Sequence, residues 1–347
     1  MAATARTSVM GPNSWAVTYT PGAVLSEIFA EIHAACLAGG WSLVDSLSST
    51  SAVYSAPMSD LNSSYKYVRL ILTSPAGLQL SVFEAWNPLT HVGTNQAYES
   101  ATPANYYQRV DLSTGGYFFL FINPRWLIAY GRTTDPTGKY IYGSSTGNAW
   151  TGCIEIKKEN AGETTGSYPR FAWVNGHCLA GGEQIQGADS FTVGANAEYH
   201  HFALPRMRNG DVGKPASVKC LLSNIAIPFA NRAGQVMTGY CSGYETVSKT
   251  VHQDENALGS YAFPKFNSPF SPSKNALTIT PYAYDLNSGV RGAFHGIKLI
   301  SAGAGSSMDI IELKQDANGK ASIFGSKVKH VLLTITTVNL DRIAIPL

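Results

Sequence analysis

The stretch from Tyr117 to Gly131, YFFLFINPRWLIAYG, decides the fold of this chain. Two apolar, aromatic-rich runs flank a turn at Asn123-Pro124, and neither run contains an acidic residue, a histidine, a cysteine or a serine. Runs rich in Phe, Tyr, Trp and Ile that are broken by an Asn-Pro turn are typical of paired antiparallel strands. The stretch therefore predicts a hairpin that is buried on at least one face.

The composition around this hairpin limits the classes of partner. The chain has 347 residues, of which 44% are hydrophobic and 14% are charged, against roughly 25% charged residues in an average soluble domain. A surface of Ser, Thr, Asn, Gly and Tyr is more common in extracellular, assembled or particle-bound proteins than in cytosolic enzymes. The net charge is +2 and the sequence contains no Lys/Arg run, so we exclude nucleic acid as the main partner.

Neither the N-terminal sequence nor the cysteines indicate export. Residues 1–15 contain no apolar segment of signal-peptide length, and no window reaches the roughly 20 apolar residues of a membrane span. We therefore expect no membrane span and expect the chain to fold in a cytoplasm. The cysteines are odd in number, widely separated and never spaced as Cys-x-x-Cys, which predicts buried free thiols. They are Cys36, Cys153, Cys178, Cys220 and Cys241.

One helix is predicted, near residues 21–38, with Thr20 as its N-cap, Pro21 at the first helical position and Gly39-Gly40 as its end. Its apolar residues share one face, so we expect it to cover a sheet. After an extended segment at residues 41–45 and a Ser-rich loop at 45–51, a hairpin is predicted from strands at 65–73 and 78–86. A long polar loop should follow at residues 87–104.

The predicted fold class is mainly β, with antiparallel sheets in a β-sandwich-like arrangement and an N-terminal α+β module. Four segments are predicted: an α+β module at 1–145, a β-rich module at 146–250, a Pro-rich extended linker or arm at 251–290, and C-terminal strands at 291–347 that return to the β core. Candidate strands beyond the aromatic hairpin are residues 151–157, 170–174, 217–222, 225–229, 235–244, 296–301, 308–314 and 329–338.

Metal binding is not predicted from the local cluster of potential ligands, His177, Glu198, His200 and His201. Adjacent residues of a strand point to opposite faces, and neither a His-x-x-x-His nor a His-x-His spacing occurs.

Catalysis and cofactor binding are not predicted either. Glu84 and Asp111 are the best candidates for a carboxylate pair, but their spacing does not define a glycosidase site. The Gly143–Gly147 segment lacks the Gly-x-Ser-x-Gly order of a nucleophile elbow and the strand-to-helix context that such an elbow needs. We therefore expect no enzymatic activity, no catalytic residue, no cofactor and no metal.

Exposed aromatic and polar residues are the candidates for contact with a ligand or a partner, because aromatic rings stack on sugars and anchor protein interfaces. The candidate interface or ligand-contacting residues are Trp86, His91, Asn95, Tyr106, Tyr107, Trp150, Tyr168, Phe263, Phe266 and Phe270.

Five phrases, in their order along the chain, resemble virion structural proteins of tailed bacteriophages. They are GWSLVD at residues 40–45, VFEAWNPLTHVGTN at 82–95, NPRWLIAY at 123–130, YPRFAWVNG at 168–176 and RGAFHGIKLI at 291–300. The resemblance covers most of the chain in pattern and contains no catalytic signature.

The resemblance implies a structural component of a phage particle, made in the bacterial host cytoplasm and located in the virion. Its partners would be copies of itself and other virion proteins in a symmetric neck, tail or baseplate ring. Residues 252–287 and 87–104 are expected to make intersubunit contacts. Two alternatives remain: a receptor- or glycan-binding fibre or decoration module that uses Trp86, Tyr106 and Tyr107, and an envelope polysaccharide hydrolase.

Overall fold

The fold is taken from a computed structural model, which describes most of the N-terminal half and the strands of the C-terminal half. The described residues are 11–59, 61–74, 77–97, 109–111, 115–133, 148–157, 171–179, 197–203, 219–222, 240–244, 278–279, 282–285, 289–294, 296–300, 308–317, 319, 324–333 and 342–347.

The elements of the N-terminal part are β1 Ser14–Tyr19, α1 Leu25–Ala38, β2 Ser42–Ser48, β3 Ser51–Met58, β4 Leu61–Thr73, β5 Gly77–Phe83, β6 Ala85–Asn87, β7 Val92–Thr94, β8 Arg109–Asp111, β9 Gly116–Asn123 and β10 Trp126–Thr133. Those that follow are β11 Asn148–Lys157, β12 Phe171–Leu179, β13 Ala197–Ala203, β14 Lys219–Leu222, β15 Tyr240–Tyr244, β16 Thr278–Ile279, β17 Tyr282–Asp285, β18 Gly289–Phe294, β19 Lys298–Ile300, β20 Ile310–Gln315, β21 Ser326–Leu333 and β22 Arg342–Pro346. The prediction of a mainly β, antiparallel fold with one helix is confirmed among the described residues.

The aromatic hairpin β9–β10 is the middle layer of the fold, and it is buried on both faces. Its strands pair antiparallel from Trp126 opposite Asn123 to Thr133 opposite Gly116. Alternation along β9 sends Phe118 and Leu120 into the core beneath the helix, and sends Phe121 into a second core on the other face. Burial of each such side chain contributes about 1.5–3 kcal/mol, so this hairpin stabilises two packing interfaces at once.

The first outer layer is the antiparallel run β2–β3–β4–β5–β8, and the predicted hairpin of residues 65–86 corresponds to β4 and β5 within it. Val68, Leu70 and Leu80 of this sheet belong to the same core as Phe118 and Leu120 of the aromatic hairpin. The helix buries Ile28, Phe29, Ile32, Ala35 and Cys36 into this core.

The second outer layer is the C-terminal sheet, in the order β16–β19–β22–β21–β20. One of its faces packs on the second face of the aromatic hairpin, and the buried side chains it contributes are Val331, Leu333, Ile343 and Ile345. Strand β11 pairs with β10 and with β12, and the pairings run on through β13, β14, β15, β17 and β18 before they return to β11.

The helix starts later than the sequence predicts. Thr20 is not its N-cap: the helix begins at Leu25, after Val24, which makes no side-chain capping bond. The backbone N–H of Ala23 donates to the Thr20 carbonyl at 2.9 Å, and Gly22 has φ +87°. Pro at the second position and Gly at the third position of a four-residue turn favour a type II turn, and here that preference outweighs the helix-start pattern.

Other boundaries also differ. The Ser-rich stretch at 45–51 is mostly strand, because β2 continues to Ser48 and β3 begins at Ser51. The predicted polar loop at 87–104 contains β7, which pairs with β6 at Ala85–Asn87. The strands that were not predicted are β1, β3, β7, β8, β13, β16, β17, β18 and β22. The candidate strand at 225–229 lies outside the described residues. The division at residue 145 stays a prediction, and β10 and β11 pair across it.

Candidate interaction site

Three of the predicted contact residues, Trp86, His91 and Asn95, meet on one small structure, the β6–β7 hairpin. The hairpin folds back over the outer face of the β2–β3–β4–β5–β8 run, which is called the first sheet from here on. The Glu84 N–H donates to the Thr94 carbonyl at 3.1 Å, and the Ala97 N–H donates to the Val82 carbonyl at 2.8 Å. The first bond joins the two ends of the hairpin, and the second ties the residue after the hairpin to β5, the strand that precedes the hairpin.

A small apolar cluster lies under the hairpin. Trp86 packs edge-to-face on Phe83 with ring centroids 5.3 Å apart, and both rings belong to one buried cluster with Val53 of the sheet. Gly93 crosses directly over Phe83, where a Cβ atom would come within 2.2 Å of the ring. The glycine is therefore required by the close approach of the hairpin backbone to the aromatic ring.

Asp45 of β2 anchors the hairpin from below. Its Oδ2 accepts a hydrogen bond from Trp86 Nε1 at 2.8 Å and contacts His91 Nδ1 at 2.8 Å. The hydrogen bonds from His91 and Trp86 lower the pKa of Asp45 below its ordinary value. Because the ionised carboxylate can only accept, the proton of this pair is on His91 Nδ1. The His91 side chain is 59% exposed beside the nearly buried carboxylate.

The tip of the hairpin is ordered by an Asx turn. Asn87 Oδ1 accepts from the backbone N–H groups of Leu89 at 2.9 Å and Thr90 at 3.4 Å. This turn holds Leu89 in solvent at 91% exposure, and Val92 is 57% exposed nearby. The hairpin thus presents two aliphatic side chains outward on a fixed backbone.

Asn95 ends the hairpin in the left-handed region, with φ +51°, which an asparagine tolerates better than most residues. Its Nδ2 donates to Glu84 Oε2 at 2.7 Å. The polar residues of the hairpin therefore serve its own geometry.

The remaining predicted contact residues are not brought to this site. Trp150 is fully buried in the second core, which leaves no ring surface for a ligand. The others lie outside the described residues, and they are Tyr106, Tyr107, Tyr168, Phe263, Phe266 and Phe270.

Potential metal ligands and cysteine thiols are considered next, for the residues that the structure describes. No group of three or more His, Cys, Asp or Glu side chains is placed to hold a metal ion within the ranges that the structure describes. Cys36 and Cys153 are buried free thiols, as predicted, and burial raises the pKa of both. Among the described residues, no helix is both long and apolar enough to cross a membrane.

Sequence reasoning missed a buried ion pair between the first sheet and the middle layer. Lys66 Nζ lies 3.2 Å from Glu155 Oε2, and both side chains are 0% exposed. Lys66 also donates to the Pro57 carbonyl at 2.9 Å and lies over the Trp41 ring, 5.6 Å from its centroid. Strand alternation was the available signal, because Lys66 has the parity of the inward-facing residues of β4.

Sequence reasoning also missed two buried basic side chains in the C-terminal sheet, Lys298 and His330. Lys298 donates to the backbone carbonyls of Gly296 at 3.0 Å and Gly319, and His330 contacts the Val328 carbonyl through Nδ1 at 2.9 Å. Burial lowers the pKa of Lys298 to about 7 and that of His330 to about 4.

The comparisons with known proteins do not assign a family: no family model matches this chain, and no curated protein matches it.

Proposed function

We propose that this protein is a structural component of a tailed-phage particle, which assembles through protein–protein interfaces in a symmetric neck, tail or baseplate ring. The resemblance of five sequence phrases to virion proteins supports this proposal, as does the low charge content. The observation that carries it is the β6–β7 hairpin, which is fixed at its base and apolar at its tip.

The hairpin has the properties of a preorganised contact element. Its base is held by Asp45 and by the Phe83–Trp86 ring pair, and its tip by the Asn87 turn. A partner that covers Leu89 would bury an aliphatic side chain without first ordering the backbone that carries it. Such preorganisation lowers the entropic cost of association.

The same geometry favours a protein contact over sugar stacking at Trp86. A sugar platform needs an exposed ring face, but Trp86 is 8% exposed, its ring packs on Phe83, and its N–H donates to Asp45. The glycan-binding alternative therefore gains no support from this tryptophan.

The proposal is tested with the purified full-length chain by mass photometry and sedimentation velocity over a range of concentrations. We expect a concentration-dependent oligomer that Leu89→Ser weakens. Val24→Ser is the matched control, because Val24 is also exposed, at 56%, but lies before the helix. A chain that stays monomeric at every concentration, or an oligomer that both variants weaken equally, would contradict the proposal.

A further inference from the structure

We propose that the outer face of strand β4 binds an acidic saccharide, with Arg69 holding its carboxylate and Tyr65 and Tyr67 contacting the sugar ring. This site lies apart from Trp86 and goes beyond the proposed function, because it takes a small ligand. The three residues alternate along β4 with Lys66 and Val68, whose side chains are fully buried on the inner face. Alternation therefore places Tyr65, Tyr67 and Arg69 together on the outer face.

Arg69 is a half-buried cation at the middle of this face. Its guanidinium carbon lies over the Phe83 ring, 5.7 Å from the ring centroid. Within the ranges that the structure describes, Arg69 has no carboxylate partner, and its Nε atom is buried without a hydrogen-bond acceptor. Burial lowers the pKa of Arg69, because desolvation disfavours the charged form. An anion supplied from outside would offset this cost through charge-assisted hydrogen bonds.

The neighbouring strands supply no anion to Arg69. Its six nearest positions in the register of β3 and β5 carry no acidic residue, and they are Ser51, Val53, Ser55, Gln79, Ser81 and Phe83. Asp45 of β2 lies beyond Val53 in the same row, but it already accepts from Trp86 and contacts His91. Within these described strands, the charge of Arg69 is therefore not balanced.

A second donor on the same face also has no acceptor. Gln79 is 9% exposed, and its Nε2 atom is buried without a hydrogen-bond partner. Gln79 pairs with Ile71 in the register, one diagonal step from Arg69, and long side chains reach across such a step. The face thus offers a cation and an amide donor to a ligand that carries several oxygen atoms.

The ring surface comes from the two tyrosines. Tyr65 is 48% exposed and Tyr67 is partly exposed, so both offer an apolar ring and a hydroxyl group at the surface. Sites for small ligands combine aromatic surface with a few polar groups that fix the orientation of the ligand. One guanidinium balances the single charge of a carboxylate, whereas a phosphate group carries about two charges.

A protein partner is the competing occupant of this face. The core of a protein interface is rich in apolar and aromatic side chains, but four of the six positions around Arg69 carry a hydroxyl or an amide group. Such groups match the hydroxyls of a sugar better than the apolar side chains of a partner. The observations therefore favour the saccharide.

The test is saturation-transfer difference NMR on the full-length chain, titrated with glucuronate and, separately, with glucose. The two sugars share the pyranose ring, and only glucuronate has the carboxylate. We expect saturation transfer to the ring protons of glucuronate, and an affinity at least about tenfold higher than that for glucose, because the contact with Arg69 is charge-assisted.

Variants of Arg69 test the carboxylate contact. Arg69→Met removes the cation but keeps an apolar side chain on Phe83, so the affinity for glucuronate should fall at least about tenfold, to that for glucose. Arg69→Lys keeps the charge without the planar fork and should recover only part of this loss. Arg125→Met is the matched control, because Arg125 is exposed at the turn of the aromatic hairpin, and it should leave the affinity unchanged.

A variant of Tyr65 tests the ring contact. Tyr65→Ala should weaken the binding of glucuronate about threefold or more, because the ring surface is lost while Arg69 remains. Urea unfolding of each variant verifies that the fold is retained.

Four results would overturn the inference: a wild-type chain that does not bind glucuronate, glucose or acetate binding as tightly as glucuronate, an Arg69→Met variant with unchanged affinity, or an Arg125→Met variant that loses as much as Arg69→Met. If glucuronate does not bind and Arg69→Met weakens an oligomer, Arg69 belongs to a protein contact and the saccharide site is rejected, while the proposed function stands.

Discussion

The buried ion pair between Lys66 and Glu155 gives the sharpest test of the layered packing. Lys66→Met leaves the Glu155 carboxylate buried without its cation, and Glu155→Gln leaves the ammonium group without its anion. Both side chains are 0% exposed and their charged atoms are 3.2 Å apart. Removal of one partner of a buried pair typically costs about 3–5 kcal/mol, because the desolvated charge that remains is not compensated.

The surrounding hydrogen bonds place the cost of each variant within that range. Glu155 Oε1 also accepts from the Ser59 N–H at 2.9 Å and from the Ser59 hydroxyl, so the carboxylate keeps two donors in Lys66→Met. Lys66 keeps the Pro57 carbonyl and the Trp41 ring in Glu155→Gln, but neither is an anion. We therefore expect about 3 kcal/mol from Lys66→Met and somewhat more from Glu155→Gln.

The assay is urea unfolding followed by intrinsic fluorescence, with the free energy of unfolding compared among variants. The double variant Lys66→Met/Glu155→Leu removes both charges and should recover most of the loss, because apolar replacement of a whole buried pair is often neutral. Lys327→Met is the control: its pair with Glu312 is also 3.2 Å long but 68% and 50% exposed, so its loss should stay below about 1 kcal/mol. A Lys66→Met cost no larger than that of Lys327→Met would refute the reasoning.

Three further predictions follow from the same structure. Gly93→Ala should lower the free energy of unfolding by about 1–3 kcal/mol through overlap with Phe83, and an unchanged urea midpoint would show that the ring is not tightly packed. Asp45→Ala should speed hydrogen–deuterium exchange in residues 85–94 but not in 117–131, since it removes the acceptor of the hairpin anchor. An exchange rate in residues 85–94 that is the same in the variant and the wild type would contradict this. Burial lowers the pKa of His330 from 6.5 to about 4 and that of Lys298 from 10.5 to about 7. The unfolded state therefore binds more protons than the folded state in two pH windows, about 4 to 6.5 for His330 and about 7 to 10.5 for Lys298. Stability should therefore rise with pH across both windows, and His330→Phe and Lys298→Met should each flatten its own window in urea titrations; slopes that persist in the variants would assign the effect to other groups.

The candidate site could be predicted only in part. The pattern at 82–95 indicated Trp86, His91 and Asn95 as contact residues, but it gave no reason to connect them with Asp45, which is 41 residues from Trp86. The glycan-binding alternative uses Trp86 as an exposed platform, yet its ring lies under the hairpin, where Asp45 and Phe83 hold it. Sequence identified the segment, and the contact across the sheet decided what each side chain does.

The sequence by itself determined that this protein is built from strands, because alternation, β-branched and aromatic residues, and turn residues act over a few neighbouring positions. It predicted the aromatic hairpin and helix α1 for the same reason. Only the tertiary structure decided that the hairpin is covered on both faces and that Lys66 meets Glu155, 89 residues away. Local periodicity records which face of a strand is apolar, whereas the partner of each face depends on how distant segments pack.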